Sequence, residues 1–226
     1  MTFDVVGILF KMIAFLFAIS VHESAHAWTA SRCGDPTARM LGRVSLNPIR
    51  HIDPIGTILL PIVAAVSGFT VLGWAKPTPV DPRNFRNPLL DDILTSVAGP
   101  VSNFIVATCA VLLLWIISLT SATGRSIIHG LGPADLGMAT SVLEPTVQLA
   151  LSFIEINVVL AVFNLIPVPP LDGSHVIRHF LSDSVRRVFD SIGIFGLLAL
   201  VYLGKPLLRA LINPFLDFYF SMVGKF

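Results

Sequence analysis

An apolar run that begins near residue 5, with Lys11 its single charge, closes on Val21-His22-Glu23-Ser24-Ala25-His26-Ala27-Trp28. A run of that length suits the hydrocarbon of a bilayer, where the backbone has to satisfy its own polar groups, here within a helix. The helix then limits what its polar end can do. Residues four apart lie one above the other on one face, so His22 and His26 can offer two imidazoles to one ion. Glu23 sits one step round from His22, close enough to take a proton from a water beside such an ion. Ionisable groups at the end of a span are costly, and by default they mark a functional site. The plainer reading is a bundle in which Glu23 and the histidines satisfy one another. A chance HExxH in a chain this long is about a one-in-a-hundred event, and a candidate third ligand downstream weighs further against it.

Composition supports the bilayer. Of 226 residues 54% are hydrophobic, mean hydropathy is +0.80, and only 13% are charged; soluble domains carry about 25%. A polytopic membrane protein follows, organised as one unit over residues 1–226, with no soluble domain between its spans. A net charge of +1 gives no reason to expect nucleic acid as a partner. Cys33 and Cys109 form no CxxC, and Cys109 inside an apolar run reads as a buried thiol. The start of the chain lacks a basic region and an A-x-A-like site, so no removable signal peptide is expected.

Along the chain, a first helix is expected over residues 5–31, stopped by Gly34-Asp35-Pro36. Residues 37–54 are basic and rich in turn formers, and short strands or loops against the membrane are expected there. Residues 56–74 are apolar, interrupted by Pro61 and Ser67-Gly68. Arg32, Arg39, Arg43 and Arg50 precede them, and Lys76, Arg83 and Arg86 follow. With both flanks basic, entry and exit on one side is preferred, which makes this part of a loop and re-entrant region over residues 32–88. A helix over 89–119 carries Ala98-Gly99-Pro100-Val101-Ser102-Asn103, whose small residues admit a close neighbour. A helix over 141–163 carries Glu155 and Asn157, which would line a water path or hydrogen-bond in the bundle interior. It breaks at Asn164-Leu165-Ile166-Pro167-Val168-Pro169-Pro170-Leu171-Asp172-Gly173, where the prolines cannot continue it. An aspartate at an unwound helix end among apolar residues is expensive unless it binds something. C-terminal helices are expected over 188–223, broken at Asn213-Pro214. The fold class is therefore all-α and polytopic, with about five to six transmembrane helices plus a re-entrant or short β element near the site.

HExxH at the end of a first span, AGPxSN in a later one and NLIPVPPLDG after that resemble the site-2 protease family of intramembrane zinc metalloproteases. GRVSLNPIRHIDPIGT and GWAKPTPV resemble its compact bacterial and archaeal branch, and the likeness covers about residues 18 to 175. The resemblance implies His22, His26 and Asp172 as ligands of one Zn2+ and Glu23 as general base. It further implies that Asn103 and Asn164 hold substrate backbone or stabilise the oxyanion. The implied partners are a transmembrane protein substrate and the lipid bilayer, with a homo-oligomer left open. The implied location is a prokaryotic cell membrane, multi-pass, the active site opening toward the cytoplasm. The chain has no room for a PDZ domain and no tail long enough for CBS domains, which leaves substrate selection unassigned.

The residues support such chemistry by themselves. Two imidazoles and a carboxylate leave an ion a net charge and an open position, and a substrate helix would unwind locally to be cut, with the Pro-rich stretch 75–82 clamping it as an added strand. His51 and Asp53 read as structural more readily than as metal ligands, and His175 with His179 as a solvated helix face. Two other functions compete with this one: a metal-ion or proton transporter, and a non-catalytic membrane scaffold. No inverted repeat supports the first. A purely structural metal site would not need Glu23, which counts against the second.

Overall fold

Every fourth residue along one side of the first helix is an alanine or a histidine. In the computed structural model, which describes residues 5–59, 74–130 and 142–224, helix α1 (Val5–Cys33) buries Ala14, Ala18, His22, His26 and Ala30 along that side. Lipid tails are as apolar as leucine, so helices inside a bilayer associate through close packing and hydrogen bonds rather than by escaping water. The alanines allow that approach, and the histidines, in register with them, have to face inward.

After a short α2 (Thr37–Met40), the partners are α3 (Pro88–Thr120) and, beyond a short α4 (Ala122–Ile128), α5 (Leu143–Asn164). Helix α3 buries Gly99, Asn103, Ala107, Ala110, Val111, Leu114 and Ile117 on one side. Val147, Ala150, Ile154, Asn157, Val158 and Ala161 of α5 do the same. Asn87 starts α3 by accepting from Leu90 N, and Pro88 sits at a first-turn position where its missing N–H is no loss. Helices α6 (Asp172–Arg178), α7 (Asp183–Leu203) and α8 (Lys205–Val223) follow, and Tyr219 and Val223 of α8 close the apolar cluster around Val111, Leu114, Ile154 and Val158.

Helices α1, α3 and α5 are long and apolar enough to cross a membrane, with mean hydropathies of 2.2, 2.2 and 1.9 over their best windows. Phe195–Leu203 and α8, bent by 79°, make a fourth span if taken together. Three or four spans among the described residues is fewer than the five to six expected. One reason is Gly193, whose backbone (φ 44°, ψ −136°) breaks α7 and leaves its C-terminal half too short to cross alone. Another is that residues 60–73, within the stretch expected to re-enter or span, lie outside the described residues. The two ends of that stretch meet: Trp74 N–H donates to Gly56 O at 3.1 Å, and Thr57 Oγ1 donates to Trp74 O at 2.7 Å. No strand occurs among the described residues: of the short strands or loops expected over 37–54, it is the loops that form, carrying α2 and a 3-10 turn at Pro48–Arg50. Nor does Asn213-Pro214 break the last helix. It runs through Pro214, a proline tolerated in membrane helices where neighbours re-satisfy the freed carbonyl.

The loops beside α1 are tied to its end by Asp35. Gly34 adopts φ +117° and a Cβ there would lie 2.8 Å from Asn84 O, so only glycine lets the chain turn this close to the following loop. The buried Asp35 carboxylate then accepts from Thr37 N (3.1 Å), Thr37 Oγ1 (2.5 Å), Asp81 N (2.8 Å) and Asn84 Nδ2 (2.9 Å). Burial pushes its pKa up, but these donors outweigh burial and hold the carboxyl below the usual carboxylate range. A depressed folded pKa contributes stability above the unfolded value and loses it as pH falls through the folded one. Asp35→Asn should therefore lower thermal stability in detergent at neutral pH by about 1–3 kcal/mol. That deficit should shrink on acidification below about pH 4, where the carboxylate protonates in the unfolded chain before it does in the folded one. Equal melting of the two proteins at neutral pH would refute the role.

Candidate metal centre

Three donor atoms converge where α1, α3 and α6 meet. His22 Nε2 lies 3.0 Å from His26 Nε2 and 3.0 Å from Asp172 Oδ2, and His26 Nε2 lies 3.4 Å from the same oxygen. Both histidines are buried, at 5% and 7% exposure. Asp172 arrives from the far end of the chain. Helix α5 stops at Asn164, the proline-rich turn folds back, and Ile166 and Leu171 pack against Leu200, so α6 begins with Asp172 beside α1 and α3.

The tautomers of both histidines are dictated by groups that can only accept. His26 Nδ1 is 2.6 Å from the carbonyl of Thr95, so it carries the proton. His22 Nδ1 is 2.6 Å from Asn103 Oδ1. The Asn103 amide cannot be flipped, because its Nδ2 donates to Ala18 O at 3.2 Å and to Asn157 Oδ1 at 2.8 Å. Asn157 is fixed in turn by donating to Phe153 O at 2.8 Å. His22 Nδ1 is thus also a donor, and both Nε2 atoms present lone pairs to one another and to a carboxylate.

That arrangement fits a cation. Two lone pairs 3.0 Å apart repel, and Asp172 Oδ2 is buried with no hydrogen-bond partner. A divalent ion satisfies all three donors at once, and two neutral imidazoles with one carboxylate are a donor set for catalytic zinc. The outer nitrogens bonded to a carbonyl and an amide supply the orientation such ligands need. Gly99 keeps the space open: a Cβ there would lie 2.6 Å from His22 Nε2. Among the described residues this is the only group of histidine, cysteine and acidic side chains placed to share an ion.

Glu23 points to a different neighbour. Its Oε2 accepts from Thr78 N at 2.9 Å and from Thr78 Oγ1 at 2.7 Å. Asn103, which the resemblance assigns to substrate backbone or the oxyanion, stands behind His22 with its amide fully committed, and it is wholly buried. Asn164 donates to Leu160 O within its own helix at 3.0 Å and is not hydrogen-bonded to the cluster. His51 is buried and structural: its Nε2 faces Ser45 O at 2.7 Å and its carbonyl accepts from Lys76 N at 2.8 Å. Burial pushes the pKa of its imidazole down. Asp53 caps the turn at Pro54–Leu59 by accepting from Ile55 N and Gly56 N. His175 is exposed, and His179 pairs with Asp92 at 2.7 Å, so they form no second pair of ligands. Glu155 pairs across to Lys11 of α1 at 3.0 Å. Sequence reasoning missed the carbonyl of Thr95, which no residue type signals. It also missed Thr78 and Arg43, which it had placed in a loop and in a run of basic residues.

A model of peptidase family M50 matches residues 10–203. YwhC of Bacillus subtilis, named as a zinc metalloprotease, is 37% identical over 209 residues, covering 92% of this chain and 86% of its own length. Rip2 of Mycolicibacterium smegmatis, similarly named, is 29% identical over 217 residues, covering 95% and 71%. The regulator of sigma-E protease RseP of Salmonella typhimurium is 28% identical over 158 residues, which are 66% of this chain and 35% of that protein. No solved structure matches the chain.

Proposed function

The chain belongs to peptidase family M50, and from that premise we propose that it is an intramembrane zinc metalloprotease that hydrolyses peptide bonds in or near transmembrane segments of membrane proteins. The observation that carries this reading is the convergence of His22, His26 and Asp172, lone pairs inward, against the helix that also carries Glu23. The three would hold the zinc. When bound, the ion supplies a Lewis acid that polarises the scissile carbonyl and acidifies water. Glu23 takes the proton from the attacking water and returns it to the leaving amine. Asn103 and Thr95 hold the two imidazole rings in the tautomer and orientation that point Nε2 inward. In this reading Asn103 acts through His22. Asn164 is the remaining candidate for substrate backbone, since only its Nδ2 is used and by its own helix.

Spans α1, α3 and α5 make the protein a multi-pass membrane protein, and its protease family implies protein substrates in membranes. The proposed orientation opens the site to the cytoplasm of a prokaryotic cell, supported by Arg32 at the end of α1, Arg39 in α2, and Arg50, Arg83 and Arg86 between α2 and α3. The test is cleavage of a single-span substrate by the protein purified in detergent. A chelator is expected to stop cleavage and added zinc to restore it; zinc-loaded, folded protein that cuts no substrate would overturn the reading. The transporter alternative gains nothing from the structure, because no second ligand group lines a path among the described residues.

A further inference from the structure

We propose that Thr78 is a positioning residue for Glu23 and that the buried guanidinium of Arg43 fixes the peptide through which it acts. The proposal rests on Glu23 being the general base. Residues 74–80 form no regular element, and Thr78 ties them to the HExxH helix. In Lys76-Pro77-Thr78-Pro79 neither proline has an N–H, so Thr78 holds the only backbone donor of the three residues 77–79. A residue before proline is also pushed into extended conformation, which keeps that donor from turning back on its own chain. Both donors of Thr78 reach Glu23 Oε2, the amide at 2.9 Å and the hydroxyl at 2.7 Å, and the hydroxyl also lies 3.1 Å from the Glu23 carbonyl. Glu23 Oε1 has no hydrogen bond among the described residues. One carboxylate oxygen is therefore anchored and the other left for proton transfer.

Arg43 anchors the opposite end of the same peptide. It is only 5% exposed, and its guanidinium donates to Arg50 O, to Lys76 O and, at 2.7 Å, to Pro77 O. The carbonyl of Pro77 and the N–H of Thr78 belong to one planar unit. A cation thus holds its oxygen while a carboxylate accepts from its nitrogen, and each bond polarises the other. Lysine cannot reproduce this, because a single ammonium lacks the planar fork that reaches several carbonyls. His51, through its carbonyl to Lys76 N, adds a further tie on the same strap.

The test measures kcat, KM and zinc content for Thr78→Val, Thr78→Ser and Arg43→Lys with a single-span substrate in detergent. Thr78→Val keeps the shape and removes the hydroxyl. It is expected to lower kcat about 10–100-fold with KM and zinc nearly unchanged. Thr78→Ser should recover most of the loss, and Arg43→Lys should fall in the same direction. Wild-type kcat in Thr78→Val would overturn the proposal. So would a raised kcat, which would make the strap a lid, and so would a serine variant as slow as valine, which would assign the effect to packing. A second readout is independent of activity: the infrared difference between wild type and Glu23→Gln isolates the Glu23 carboxylate stretch. Thr78→Val should shift it, and an unshifted band refutes the hydrogen bond whether or not any peptide is cut. Failure of wild type to cleave would count against the protease reading, and that result needs no variant.

Discussion

Glu23→Gln is expected to reduce turnover by about 10²–10⁴-fold while zinc content and KM stay at wild-type values. Glutamine keeps the shape and a carbonyl oxygen that can accept from Thr78 N–H, so the strap and the helix should not move. It cannot accept and return a proton. The three donors proposed to hold zinc are contributed by His22, His26 and Asp172, and none of their hydrogen bonds runs through Glu23. Structure and metal should therefore survive a change that removes the chemistry. Measured side by side, zinc per chain and cleavage rate separate the competing functions. A scaffold would lose nothing, and a transporter's flux would change with no peptide cut. Loss of zinc in Glu23→Gln would show instead that the carboxylate supports the metal directly.

The helices and the ligand trio were legible for different reasons. Helix α1 is a single apolar run, and the spacing of His22 and His26 needs only the helical repeat to bring them together. Asp172 is 146 residues beyond His26, and no periodicity connects them; the motif resemblance, not the pattern, brought it into the trio. Arg43 shows where charge counting fails. The positive-inside rule treats it like Arg39 or Arg50, yet it is buried against three carbonyls, and composition cannot separate a solvated guanidinium from one inside a loop. Asn103 was found by its motif, but its partners were not. Its sequence context does not reveal that Ala18, Asn157 and His22 would use its whole amide. Asn213-Pro214 misled in the opposite direction, since proline stops helices in water more reliably than in a membrane bundle.

The other large expected effect is at Asp172. Asp172→Ala should strip the protein of zinc and abolish cleavage with it. The carboxylate is the only anionic donor of the trio, and its Oδ2 is buried with no hydrogen-bond partner. Removing it leaves two neutral nitrogens that cannot hold an ion against solvent and chelator. Loss of a group that merely orients a ligand weakens metal binding about 10–100-fold, and loss of the ligand itself should exceed the upper figure. Gly99→Ala makes the same test without touching a ligand, because the new methyl carbon would lie 2.6 Å from His22 Nε2 and displace the imidazoles from their shared point. If both variants lose zinc while remaining folded, the site is the one formed by α1, α3 and α6. Full zinc in Asp172→Ala would require another third ligand, and neither alternative from the sequence is in place: His51 is buried against Ser45 O, and His175 is exposed outside the cluster. A full complement of zinc would then mean that the turn after α5 rearranges to supply a donor, and the convergence of these three side chains would no longer explain catalysis.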